Sequence, residues 1–113
     1  MVGFIEVKQI LETAIANWRA ANGNAVPNLT GKHRDPNFGW STKPQLLAAT
    51  AKGFRLIEPG KIGNKQGADT NLVKALRDKT GVDNNGRMPD QGPYLDLPTI
   101  QKIIDWIDGG CPD

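Results

Sequence analysis

The sequence predicts an all-α fold of about four short helices joined by long structured loops. Near each end of the chain, apolar residues recur at spacings of three and four, which is typical of a helix with one buried face. No segment of strand length alternates apolar and polar residues. Glycine (13 copies) and proline (8 copies) cut the rest of the chain into short pieces, so long loops are expected.

The first helix is predicted from Phe4 to Ala21, and Gly23 is suited to its C-terminal end. Residues 24–36 are rich in Asn, Gly and Pro and are expected to form a loop. The apolar face of the helix consists of Phe4, Val7, Ile10, Leu11, Ala14, Ile15 and Trp18.

A second, shorter helix is predicted between an N-cap at Ser41 or Thr42 and a stop at Gly53. Residues 54–68 are expected to be irregular because three glycines and Pro59 interrupt any periodicity.

A third helix is predicted from an N-cap at Asp69 or Thr70 to Gly81, and the last helix from an N-cap at Asp96 to the glycine pair 109–110. The apolar face of the last helix consists of Leu97, Ile100, Ile103, Ile104 and Ile107, with Trp106 alongside.

Residues 1–113 are expected to form a single domain. Only 38% of the residues are hydrophobic, so the core should be thin and its few aromatic residues important. The net charge is +2 and the basic residues are scattered among acids, which argues against a nucleic-acid partner. The longest basic run, residues 32–34, is interpreted as part of a solvated loop.

No segment approaches the roughly 20 apolar residues of a membrane span, and the N-terminus does not resemble an export signal. A soluble protein without a membrane partner is expected, cytoplasmic by default. Cys111 is the only cysteine and His33 the only histidine, which disfavours a zinc site. Cys111 is expected to be a small buried residue, whereas an exposed thiol would allow an intermolecular disulfide.

The C-terminal quarter carries the most specific pattern in the chain. Its parts are Arg87-Met88-Pro89, Gly92-Pro93-Tyr94-Leu95, Trp106-Ile107-Asp108 and Gly110-Cys111-Pro112. This pattern resembles the C-terminal signature of bacterial cytochrome c-like domains, in which a Met-Pro loop precedes a terminal helix with a Trp-Ile pair. Phe4, Val7 and Ile10-Leu11 resemble the first helix of that family. The resemblance implies a cytochrome c-like fold over nearly the whole chain.

The family's haem-attachment motif is missing. In that family the first helix runs into Cys-x-x-Cys-His-Gly, whose cysteines form thioethers to haem and whose histidine binds the iron. With the motif's glycine placed on Gly23, its other three positions hold Trp18, Ala21 and Asn22. An indole and a methyl group form no thioether, and an amide is a poor substitute for imidazole. We therefore expect no covalent haem and, in the first interpretation, no cofactor.

Without haem, the vacated space should be filled or collapsed, because an apolar void costs about 24 cal/mol per Å³. The leading candidate to fill it is Trp18, with help from Phe38, Trp40 and Tyr94.

Three functions are compatible with these observations. The first is a haem-free structural or binding module, a subunit or accessory domain of a larger assembly with a protein partner or a second copy. The alternative is a non-covalent haem protein that transfers electrons through Met88, which lies at the position of the family's distal ligand, and His33. The third is a module that binds a sugar, a peptide or another small molecule on Phe38, Trp40 and Tyr94.

An enzyme is not expected. The chain has one histidine, no Gly-x-Ser-x-Gly motif and no phosphate-binding Gly-Lys-Ser/Thr loop. Asp105 and Asp108 lie three residues apart on the last helix, which is ordinary for a solvated face.

Overall fold

The computed structural model describes residues 2–113, which form five α-helices, one two-stranded sheet and two 3₁₀ turns. The helices are α1 (Phe4–Ala21), α2 (Leu29–His33), α3 (Lys43–Ala48), α4 (Asn71–Arg77) and α5 (Leu97–Asp108). Strands β1 (Thr50–Ala51) and β2 (Phe54–Arg55) pair antiparallel, and the 3₁₀ turns cover Pro59–Lys61 and Gly67–Asp69. The fold is mainly helical, as the sequence predicts. None of the helices within residues 2–113 has both the length and the apolar composition to cross a membrane.

The fold differs from the prediction in three segments. The third predicted helix, α4, ends at Arg77 and not at Gly81, because the backbone of Asp78 is already extended. The expected loop 24–36 contains α2, which begins where the Asn28 side chain accepts a hydrogen bond from the Gly31 N–H (3.1 Å). The second predicted helix ends at Ala48 because the chain then turns into a short β-hairpin. Both features are too short to show a sequence period.

The predicted helix starts are confirmed by side-chain caps. The Thr42 hydroxyl accepts from the Gln45 N–H (3.2 Å), and the Thr70 hydroxyl caps α4 in the same way. The carboxylate of Asp96 accepts from the Thr99 N–H (2.9 Å). Each cap satisfies a backbone donor that the helix leaves unpaired.

The core is built around α5, whose inner face is almost completely buried. The buried residues on this face are Ile100, Ile103, Trp106 and Ile107. Phe4 of α1 packs on Trp106 with ring centroids 6.2 Å apart, and Val73 of α4 is fully buried in the same cluster. The first and last helices therefore share one core.

One backbone carbonyl ties the two ends of the chain together. The oxygen of Pro112 accepts hydrogen bonds from the Phe4 N–H (3.0 Å) and from the Trp106 indole N–H (2.8 Å). The Lys43 ammonium donates to the neighbouring carbonyl of Cys111 (3.2 Å). The start of α1 is thus fixed against the end of α5.

A close backbone approach at Gly67 locks the second 3₁₀ turn onto α5. The Gly67 N–H donates to the Asp108 carboxylate (2.8 Å). A β-carbon at this position would lie 2.8 Å from the backbone oxygen of Ile104 and 3.2 Å from Ile107. Only glycine fits there without displacing the helix.

We therefore expect Gly67→Ala to lower the free energy of unfolding by about 1–3 kcal/mol, because the new methyl group overpacks this contact. Urea denaturation followed by circular dichroism measures the change. Gly60→Ala is the matched control, since no atom lies within 4 Å of the added β-carbon there. Equal stabilities of the two variants would contradict the close approach.

Candidate functional site

An open cleft lined almost entirely by apolar side chains lies beside the core. We call it the apolar cleft; its volume is about 840 Å³, the space at its mouth included. The C-terminal half of α1 forms one wall and α4 forms another, with the Met88-Pro89 segment beside them. The apolar side chains that line it include Leu11, Ala14, Ile15, Leu46, Leu56, Leu72 and Leu76.

A second, more polar hollow adjoins the first, and we call it the polar recess. Its polar lining consists of Lys32, His33, Lys52, Asn71, Asn85 and Asp90. Leu56, Ala75 and Met88 also line it, and all three belong to the apolar cleft as well. The two hollows therefore meet along a shared wall.

His33 stands where the two hollows meet and is the last residue of α2. Its Nδ1 lies 2.6 Å from the carbonyl oxygen of Leu29. Since a carbonyl only accepts, Nδ1 carries the proton and Nε2 keeps its lone pair. The imidazole stacks on Phe38 with ring centroids 3.8 Å apart and planes 3° from parallel.

The environment of His33 favours the neutral imidazole. Burial lowers its pKa; the hydrogen bond to Leu29 opposes this shift, and the charge of Lys52 adds to it. A neutral imidazole is the form that accepts a hydrogen bond or binds a metal.

Met88, the second residue of the predicted haem pair, lines both hollows together with His33. Its backbone N–H donates to the carbonyl of Ala75 (2.7 Å), which anchors the Met-Pro segment to α4. The structure therefore brings His33 and Met88 to one site.

Trp18 does not fill the space predicted to be left by haem. It is half-buried, and its indole N–H donates to the backbone oxygen of Asp90 (3.1 Å). This bond holds the ring in the wall of the apolar cleft, so the cleft stays open. Ala21 and Asn22 are exposed, and the Asn22 amide donates to the carbonyl of Trp18 (2.7 Å).

The three aromatic residues proposed as one platform are separated. Phe38 and Trp40 line the apolar cleft, with ring centroids 6.0 Å apart in an edge-to-face arrangement. Tyr94 is 46% exposed and lies in a different groove, between α1 and α5. The guanidinium of Arg87 stacks 4.6 Å from the centre of its ring. A platform of all three rings is therefore wrong, whereas Phe38 and Trp40 do converge.

Cys111 is buried, with 3% of its surface exposed. Burial raises its pKa to about 11, although the nearby Lys43 charge opposes the shift. The thiol is therefore protonated at neutral pH and is a poor nucleophile. Among residues 2–113, no three His, Cys, Asp or Glu side chains form a group that could hold a metal ion.

The contribution of the lysines to this site was not predicted. Lys32 and His33 belong to the basic run interpreted as solvated loop, yet both line the apolar cleft. Lys52 reaches the recess from the turn between β1 and β2. The sequence Lys52-Gly53 could have predicted a two-residue turn. It could not have predicted which residues lie next to the lysine.

Comparisons with protein-family models, with curated proteins and with solved structures found no match to this chain.

We expect the His33 pKa, followed by its imidazole proton resonances in NMR, to lie below its ordinary value of 6.5. Because the unfolded chain then binds the proton more readily, the resulting stability is fully present above about pH 6.5. It is lost as the pH falls through the lowered folded-state pKa. His33→Gln should abolish this component of the pH dependence in urea unfolding. A folded-state pKa at or above 6.5 would contradict the burial of the ring.

Proposed function

We propose that this chain is a haem-free cytochrome c-like module that binds an apolar small molecule in the apolar cleft. The observation that carries the proposal is the cleft itself, whose walls are mostly leucine, alanine and aromatic side chains. Small-molecule sites are typically clefts lined in this way, by apolar and aromatic side chains with a few polar groups. A small core that leaves such a surface open loses stability, and a ligand would restore it.

The cytochrome c-like part of the proposal rests on where the matched positions lie. Trp18 occupies the position of the first haem cysteine, and Met88 that of the distal iron ligand. Both side chains line the apolar cleft. Two of the residues that carry the resemblance therefore line the cleft in which we place the ligand.

The haem-free part rests on the chemistry of the replaced positions. Trp18 and Ala21 offer no thiol, and Asn22 is exposed and hydrogen-bonded to the end of α1. Covalent attachment therefore has no partner atoms on this register. Membership of a larger assembly, with a protein partner or a second copy, stays a prediction.

We expect N-phenyl-1-naphthylamine, a neutral apolar dye, to bind saturably and to gain fluorescence in the cleft. Ala75→Trp should weaken this binding by about tenfold or more, because Ala75 lines both hollows and the indole would occupy ligand space. Ala16→Trp is the matched control, since Ala16 is an exposed residue of α1 that lines neither hollow. Unsaturable binding, or equal binding by both variants, would overturn the proposal.

A second candidate, non-covalent haem binding, is favoured by the placement of His33 and Met88 on one cleft. The hydrogen bond from Nδ1 to Leu29 leaves Nε2 as the atom free to bind iron. Imidazole and thioether are the pair of ligands found in cytochromes c, so the residue types fit the group. Bound haem would supply a one-electron redox centre; His33 and Met88 would hold it, and the apolar walls would exclude water.

Titration with haemin separates the two candidates. Under the second candidate, the Soret band should shift saturably, and Met88→Leu and His33→Gln should each alter the spectrum of the complex. Under the first, haemin gives no saturable shift that depends on either residue. Leucine keeps the volume of Met88 and glutamine keeps the polarity of His33, so a lost shift would report ligation rather than unfolding.

A further inference from the structure

The side chains that line the polar recess carry a net positive charge, which the binding of an apolar molecule in the apolar cleft does not require. Lys32 and Lys52 line it, and in the part of the chain that the structure describes neither ammonium group forms an ion pair. The Lys52 ammonium donates only to a neutral acceptor, the side-chain oxygen of Asn85 (2.8 Å). These two cations can therefore accept an anionic partner.

Of the two acidic residues nearest these lysines, Asp35 and Asp90, only Asp90 lines the recess. The Asp35 carboxylate joins the turn after α2 to β1: one oxygen accepts from the Asn37 N–H and the other from the Thr50 N–H, both at 3.0 Å. Asp90 lines the recess but is a single exposed carboxylate against two lysines. With His33 kept neutral by burial, the groups that line the recess sum to one positive charge.

Lys52 also stands at a position where lysine is unusual. It is the first residue of the two-residue turn between β1 and β2, and its φ is +52°. Such turns favour asparagine or glycine because a β-carbon is strained at positive φ. The Lys52 N–H donates to the carbonyl of His33 (2.7 Å), so the turn is fixed against the end of α2.

We propose that the ligand of this site is an amphiphilic carboxylate, with its apolar chain in the apolar cleft and its carboxylate in the polar recess between Lys32 and Lys52. The inference rests on the proposed binding function and adds the chemical class of the ligand. Asn71 and Asn85 supply neutral amide groups at the same recess. The shared wall at Ala75 and Met88 lets one molecule reach both hollows.

Three amphiphiles with the same twelve-carbon chain test this inference: dodecanoate, dodecanol and dodecyltrimethylammonium. Calorimetry or tryptophan fluorescence gives their dissociation constants below the concentrations at which they form micelles. Dodecanoate should bind about tenfold more tightly than dodecanol, and the cation should bind most weakly. The preference for dodecanoate should shrink at high salt, since it comes from exposed charges.

Lys52→Asn should remove most of this preference while dodecanol binds as before. Asparagine suits the left-handed turn, so the melting temperature of the variant should not fall, and weaker binding cannot be ascribed to unfolding. Lys32→Gln should act in the same direction. Lys102→Gln is the control, because Lys102 lies on α5 and lines neither hollow.

These experiments distinguish a failure of the carboxylate inference from a failure of the proposed binding function. If the three amphiphiles bind equally, or if Lys52→Asn leaves the preference unchanged, the carboxylate inference is overturned while the apolar binding function stands. If neither the amphiphiles nor the naphthylamine dye bind, both proposals fall together.

Discussion

The carbonyl of Pro112 is the point on which the rest of the structure depends, because it holds the start of α1 and the end of α5 in one cluster. Because Phe4 packs on Trp106, the N-terminal half of α1 forms part of the core. The helix has 18 residues and is about 27 Å long, so its C-terminal half extends beyond that contact. That half, which carries Trp18 and ends at Ala21, forms a wall of the apolar cleft.

The cleft persists because its walls are fixed by bonds that do not depend on a ligand. Trp18 is held to the backbone of Asp90, and the Met-Pro segment is held to α4 through the N–H of Met88. On the opposite side, α2 presents His33, whose ring is fixed by Leu29 and Phe38. A preformed, mostly apolar space with a few polar groups at one end is the usual arrangement of a small-molecule site.

The sequence predicted the helices that are long enough for their apolar residues to show a regular period. The long helices α1 and α5 show a clear period, and the residues that begin three of the helices are good N-caps. It did not predict α2 or the hairpin, which span too few residues for a period to appear. Two residues of the site lie on these short elements: His33 is the last residue of α2, and Lys52 lies in the hairpin turn. Their place in the site could therefore not be predicted. The role of Trp18 was predicted wrongly because its indole bonds to the backbone of Asp90, 72 residues away, and the pairing of Tyr94 with the guanidinium of Arg87 left no signal in the sequence.

The central claim is that an apolar ligand occupies the cleft beside a core that does not change. The three tryptophans offer a direct test, because Trp18 and Trp40 line the cleft while Trp106 is fully buried against Phe4. Each contributes one indole N–H signal to a ¹H–¹⁵N NMR spectrum. During titration with dodecanoate, the signals of Trp18 and Trp40 should shift saturably and that of Trp106 should stay in place. Three unchanged signals, or a shift of Trp106 as large as the other two, would contradict the account.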